Sequence, residues 1–459
     1  VSKRANQQPS RAAGESWLGR RLEVVVEAIA HGGHCVARHD GRVIFVRHAL
    51  PGETVVAEVT EDRGGSFCRA DAVEIRTAAP DRVRRPCPYA HPGGCGGCDF
   101  QHVSLPGQRA LKAAVVAEQL SRLAGLDRAV TVQPLDDGDG LGWRRRVRFA
   151  VGPAGELGLR AHRSHRVVPL ARCPIGAPGV GDTPALQSDW PGLAELEVAV
   201  DDRGEVVELA HRERPVRHRP TGDRGRHTGE RRRGGGQRLA LSTEQLSGPP
   251  ALQYAVGARR FTVHPAGFWQ THPRAAEVFT ETVLRAAAPR PGERVLDLYA
   301  GSGLFTAALA AAVTGTGRVL GLEAEATAVA DAGHNLADLP WAGVRRATVS
   351  AQTVSAASAE LSADGGVDVV VLDPPRSGAG REVLEAILAA GPRVVVYVAC
   401  DPAALARDVR SAMDAGWRLA DLAAFDAFPM THHVECIAVL RPDPPEGRDA
   451  HQTGARQVG

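Results

Sequence analysis

Cys400 stands in the string VVVYVACDPAALARD. A β-branched run leads up to it, and Asp-Pro and a helical pattern follow. The thiol is therefore expected at the carboxyl end of a buried strand, where open α/β sheets place their ligands. Downstream, Glu435 falls in FPMTHHVEC. A nucleophile with a carboxylate in reach, beside a bound cofactor, suits methyl transfer to a pyrimidine carbon. Uracil C5 is a poor nucleophile, but thiolate attack at C6 turns the ring into an enolate that can take a methyl group at C5. A base then removes the C5 proton and the thiolate leaves. Cys400 is the candidate nucleophile and Glu435 the candidate base. Thiolate character needs a helix N-terminus, a cation or a hydrogen bond nearby; a helix from Pro402 would supply the first. Cys436, in ECIAVL, reads as core.

The cofactor turn is expected in VLDLYAGSGLFT, which has the form strand, acid, G-x-G, helix. Gly301 and Gly303 permit a tight turn and close backbone approach to a ligand. The third position of the dinucleotide pattern is Thr306 rather than glycine, which argues against a pyrophosphate. Asp297, ahead of the turn, points to a cofactor with a cationic amino-acid end. Glu323, in VLGLEAE, ends the next strand about 20 residues on, where an acid can hold ribose hydroxyls. S-adenosylmethionine has a ribose, an adenine and an amino-acid end without phosphate, and fits better than NAD. Asp373 opens DPPRSG at another strand end, and Pro374 and Pro375 stiffen that loop beside a planar base.

The chain has eight cysteines. In a large cytosolic protein these read as metal-binding or catalytic rather than as disulfides. Cys87, Cys95 and Cys98 follow the pattern C-x7-C-x2-C in CPYAHPGGCGGCDFQH, and Cys173 is the natural fourth ligand. Zinc and a [4Fe–4S] cluster both accept four thiolates, and the spacing does not separate them.

Other elements must position these groups. At 459 residues two or three domains are expected. The net charge of +2 excludes a global polycation, so basic charge must act locally. No apolar run approaches the roughly 18 residues of a membrane span, and the polar N-terminus lacks a signal-peptide core. A cytoplasmic protein with no membrane partner and no obligate protein partner is expected. Residues 1–16 read as disordered. Residues 17–77 alternate or run β-branched, with HGGH, HDG and PGE as turns, and suit a small OB-like barrel of the kind used on nucleic acids. There Arg42, Arg47 and His48 are candidates to face phosphates. Residues 78–258 hold the cysteine loop, a helix over GQRALKAAVVAEQLSRLAG and a β-rich platform. They include a basic segment, 212–238, with ten arginines against three acids, read as a disordered loop that grips RNA phosphates. From 259 to 442 strands and helices alternate, giving an α/β, Rossmann-like domain with a mostly parallel sheet. Residues 443–459 form a polar tail.

Together these motifs resemble the bacterial RNA uridine-5-methyltransferases, over roughly residues 17–440. GGHCVARHDGRVIFVRHALPGE resembles the TRAM domain, an RNA-binding barrel. CPYAHPGGCGGCDFQH with Cys173 resembles the family's [4Fe–4S] motif, which makes zinc the second choice. FWQTHP resembles the motif in which Gln270 contacts the cofactor. Tyr299, Glu323 and Asp373 match further cofactor positions, and Cys400 and Glu435 match nucleophile and base. The resemblance implies a class I S-adenosylmethionine-dependent methyltransferase forming 5-methyluridine, in 23S ribosomal RNA first and transfer RNA second. The target base must leave its stack to meet Cys400. Two features depart from the pattern: the longer first cysteine spacing, and Asp401 where the family usually has Asn. An acid beside the thiolate would raise its pKa. Asp401 is the one feature favouring the alternative, an RNA-binding factor with weak catalysis.

Overall fold

The computed structural model describes residues 15–215, 239–362 and 366–444. The polar N-terminus up to residue 14, the basic segment 216–238 and the tail from 445 lie outside the described residues. The chain forms two compact units that do not follow its linear order. One gathers residues up to Val115, Thr131–Glu277 and Phe425–Val434; the other gathers Val116–Val130, Val278–Ala424 and the chain from Glu435.

The first unit opens with a closed five-stranded barrel: Arg21–Ala30, His34–His39, Arg42–Arg47, Thr54–Glu61 and Phe67–Thr77. Alternate residues such as Leu22, Val24 and Val26 point inward, as period-2 patterning requires. Asp40 and Gly41 both have positive φ (45° and 75°), the twist a two-residue hairpin needs. Closure depends on a parallel pairing of Arg42–Arg47 with Phe67–Thr77. Glu53, fully buried, clamps Arg82 beyond the barrel through both carboxylate oxygens at 2.5 and 2.6 Å.

The β-rich platform is a six-stranded antiparallel sheet in the order Leu239–Ser247, Val206–Pro215, Glu195–Val200, Arg146–Val151, Leu157–Arg160, Val167–Pro169. At 212–215, the start of the basic segment, the chain is strand rather than the expected loop. Arg212 to Pro215 continue a strand that pairs with Leu239–Ser247, Arg212 opposite Ser242 and Pro215 opposite Leu239. The strand pattern at 259 also differs from expectation. Arg259–Val263 makes a hairpin with Leu252–Val256 and is not part of the parallel sheet. Its Tyr254 stacks on Trp269 at 4.8 Å, so local aromatic packing outweighs the βαβ reading.

In the second unit, seven strands line up as Ala342–Arg346, Arg318–Glu323, Arg294–Leu298, Val369–Leu372, Val394–Ala399, Glu435–Pro442 and Trp417–Asp426. The first five are parallel, and Glu435–Pro442 runs antiparallel to Val394–Ala399. Strand order reverses between Arg294–Leu298 and Val369–Leu372, which is the switch point where such sheets hold ligands. Val295, Leu296 and Leu298 on one side of it and Val369–Leu372 on the other are fully buried, as a sheet covered on both faces demands.

Candidate active site

Cys400 follows Val394–Ala399 directly, at the carboxyl end of the sheet. The helix Pro402–Asp414 starts just beyond it, so the helix N-terminus stands where the thiol emerges. In the antiparallel register Ala399 lies opposite Cys436. One residue further in each direction, Cys400 and Glu435 face each other across that pair. Asp373 ends the neighbouring parallel strand, whose Leu372 pairs with Tyr397.

The three groups feel one another. Burial pushes the half-buried Cys400 thiol up to about 11, with Glu435 and then Asp373 adding to it and Arg376 opposing. Glu435 is 5 % exposed, and its carboxyl is held well above the usual range by burial, then by Asp373, against Arg376. Asp401 has a structural task at the start of the following helix. Its carboxylate accepts from the Ala404 N–H at 2.8 Å and caps the helix, a task that Asn performs equally well. Cys436 is fully buried core.

The glycine turn adjoins this group. Tyr299, Gly301 and Gly303 all have positive φ, 62°, 55° and 89°. For Tyr299, a non-glycine residue, this is strain of the kind stored at functional turns. Glu323 fastens the turn: its carboxylate accepts from Gly301 N–H at 2.9 Å and from Glu325 N–H at 2.8 Å. Asp297 is buried beneath, accepting from the Thr306 hydroxyl at 2.5 Å, and burial pushes it up to about 7. Thr306, which breaks the dinucleotide pattern, thus has a place of its own. Asp297 raises Asp373 in turn. A row of carboxyls, Glu323, Asp297, Asp373 and Glu435, therefore lines the strand ends. It is the electrostatic complement of a cation.

Sequence reasoning missed the support behind the DPPRSG loop. The buried Asp408 accepts from Ala379 N–H at 2.9 Å and from the Tyr397 hydroxyl at 2.7 Å, and Ala379 N–H also reaches Tyr397 at 3.0 Å. Asp408 carried one signal, a carboxylate on the apolar face of a helix.

In the first unit, Gln270 follows the stacked Trp269. Cys87, Cys95, Cys98 and Cys173 are all buried there, at 8, 8, 8 and 5 % exposure. Burial raises all four thiols, and Cys173, Cys95 and Cys87 each add to the rise at Cys98, so the four are gathered. Gly97 N–H donates to Cys95 Sγ at 3.4 Å and Gln101 Nε2 to Cys98 Sγ at 3.4 Å, while backbone N–H groups of Ile175 and Gly176 serve Cys173. Such donors favour thiolates. No group of three His, Cys, Asp or Glu side chains stands at metal-holding range among the described residues. Arg42, a candidate for phosphates, is committed instead to Asp62 at 2.6 Å and to the Trp17 ring at 4.2 Å. His48 is buried. No helix among the described residues is long and apolar enough to cross a membrane.

A barrel followed by a sheet with this order, a glycine turn at the switch point and a thiol at the end of a nearby strand define a class I methyltransferase carrying a TRAM domain. Residues 15–73 match the TRAM domain and residues 232–442 match the tRNA (uracil-5-)-methyltransferase family. The chain is 43 % identical to an uncharacterized RNA methyltransferase of Streptomyces avermitilis, over 93 % of this chain and 99 % of that one. It is 33 % identical to the 23S rRNA (uracil(1939)-C(5))-methyltransferase RlmD of Shewanella baltica strain OS223, over 92 % and 96 %. The fold is shared with the Pyrococcus abyssi tRNA (uracil-54, C5)-methyltransferase solved with S-adenosyl-L-homocysteine: TM-score 0.62, 21 % identity, 91 % and 99 % coverage. The chain belongs to the RNA uracil-C5 methyltransferase family, and is an enzyme.

Proposed function

We propose that the enzyme forms 5-methyluridine in 23S ribosomal RNA, with Cys400 as nucleophile and Glu435 as base. The register that sets Cys400 opposite Glu435, beside Asp373, is the observation that carries this reading. The Cys400 thiolate bonds to uracil C6, and the ring electrons move to the C4 oxygen as an enolate. S-adenosylmethionine supplies a methyl group as a cationic sulfonium, and C5 takes it. Glu435 removes the C5 proton, the C5–C6 double bond reforms and the Cys400 thiolate leaves. A carboxyl raised by burial is a stronger base once ionised, which suits this task.

The acid row and the glycine turn fit the cofactor. Glu323 would hold the ribose, Asp297 and Asp373 would balance its positive charge, and Tyr299, Gly301 and Gly303 would let backbone approach it; Gln270 is a further contact by family likeness. Ribosomal RNA is favoured by the 33 % identity to a 23S rRNA enzyme across nearly the whole chain. Transfer RNA is the second reading, on the description of the matched family. Cys87, Cys95, Cys98 and Cys173 would hold a [4Fe–4S] cluster, with zinc second. Four gathered, buried thiols with N–H donors support this, and the group would tie the loop to the platform without entering the reaction.

The test uses purified protein, labelled S-adenosylmethionine, unmodified 23S and transfer RNA, and nucleoside mass spectrometry. 5-Methyluridine in the ribosomal pool, lost in Cys400→Ala while RNA binding survives, is expected. Product in transfer RNA alone moves the substrate, and methylation by Cys400→Ala removes the nucleophile.

A further inference from the structure

The first unit contains a cavity of about 370 Å³ that the proposed reaction does not use. Its walls come from the barrel (His34, Arg47, Arg69), the cysteine loop at Gly93 and Gly94, and the turn bearing His162 and Arg163. Arg47 is 7 % exposed, and its Nη2 is buried without a hydrogen-bond partner. Its nearest acid, Asp99, stands at 3.7 Å and is already engaged by His432 at 2.5 Å. A buried guanidinium that leaves a donor unused is costly unless an anion takes it. The lining carries four arginines against two carboxylates, Glu61 and Asp71, so its charge favours an anion. Asp71 is further engaged by the Gly93 N–H.

Two imidazoles stand beside this fork. His34 and His162 meet edge to face at 5.4 Å, and the Nε2 of each is buried without a partner. Burial, then Arg47, pushes both down to about 4, so they are neutral at pH 7. They offer planar faces and neutral donors or acceptors beside the cationic group. The volume falls within the range of small-ligand sites.

We propose that this cavity is a nucleotide subsite in which Arg47 holds a phosphodiester of single-stranded RNA and His34 and His162 flank the adjoining base. The proposal rests on RNA being the substrate. The cysteine loop shapes the site directly. Gly96 N–H donates to Arg160 O at 3.0 Å, Cys95 bridges to Ala161, and a Cβ at Gly96 would come within 2.5 Å of the His162 backbone nitrogen.

The test measures binding of a labelled single-stranded oligoribonucleotide to the full chain across a salt series. Arg47→Met keeps the shape without the charge. Arg163→Asn, on the exposed rim with φ 49°, keeps a residue type that tolerates that backbone. Arg47→Met is expected to weaken binding about tenfold and to lower the slope of log K against log salt by about 1. S-adenosylhomocysteine binding and melting should be unchanged. If Arg47→Met does not fold, Arg163→Asn carries the test through the same slope. Wild-type protein that methylates RNA, with both variants keeping its affinity and slope, overturns the subsite alone. Wild-type protein without RNA binding overturns the substrate reading as well. Stabilisation by inorganic phosphate that Arg47→Met loses, with RNA binding unaltered, makes this a free-anion site and also overturns the proposal.

Discussion

Cys400 rests as a thiol, because burial and two carboxyls outweigh Arg376. In the proposed reaction, activation must come with the ligands: a cationic cofactor beside Asp373 removes part of the repulsion. Alkylation of Cys400 by iodoacetamide, followed by mass spectrometry, should therefore rise with pH toward about 11 in the free enzyme. Glu435→Gln removes the largest repelling charge and should shift that profile to lower pH while abolishing turnover. An unshifted profile would separate the two groups. Asp297 gives a second pH signature. Its pKa of about 7 means that it is protonated below neutrality. A cation binds better to the ionised form, so S-adenosylmethionine affinity should rise as pH climbs through about 7. Titration calorimetry between pH 6 and 8 checks this, with Asp297→Asn expected to flatten it.

At the scale of elements, function depends on how strand-end loops are held. The loop after Asp373 is pinned by Asp408 and Tyr397, and a side chain at Gly378 would meet Asp408 Oδ2 at 2.7 Å where φ is 86°. Tyr397→Phe strips the hydroxyl from this network and should cost about 1–2 kcal/mol of stability. It should also raise KM for the cofactor more than it lowers kcat, as steady-state kinetics would show. The segment leading to Glu435 is clamped in the first unit. Gln108 accepts from Met430 N–H at 2.7 Å, and Lys112 meets Asp426 at 2.5 Å with both side chains buried. Lys112→Met leaves a buried carboxylate alone and should destabilise by about 3–5 kcal/mol in urea, whereas Lys112→Met with Asp426→Leu should recover most of it. A double variant as weak as the single would show that the pair contributes more than charge balance.

At the scale of the whole molecule, the chain passes between its two units repeatedly, so neither is a continuous stretch. The cysteine loop belongs to the first unit, among the barrel and platform residues that the RNA reading engages. If the four cysteines hold a cluster, its loss should act first on that unit. Cys98→Ser is expected to lose iron, melt earlier and bind RNA more weakly, while retaining S-adenosylhomocysteine affinity. Iron loss with melting and RNA binding unchanged would give the group no structural role.

Local pattern made much of this chain legible. Period-2 strands, a hairpin at Asp40-Gly41, β-branched runs ending at Asp297, Asp373 and Cys400, and a helix start after Asp401 all follow from short-range sterics and capping, which nearby residues decide. Charge and register were not legible, because they depend on partners far along the chain. Arg42 and Arg47 look alike in RVIFVRH, yet the barrel gives Arg42 to Asp62 and buries Arg47 beside a cavity. Arg259–Val263 reads as the start of the parallel series, yet pairs locally. Cys400 and Glu435 are 35 positions apart in sequence. The antiparallel insertion of Glu435–Pro442 beside Val394–Ala399 makes them neighbours. That same burial, which only packing supplies, lifts their proton affinities far from those of the free side chains.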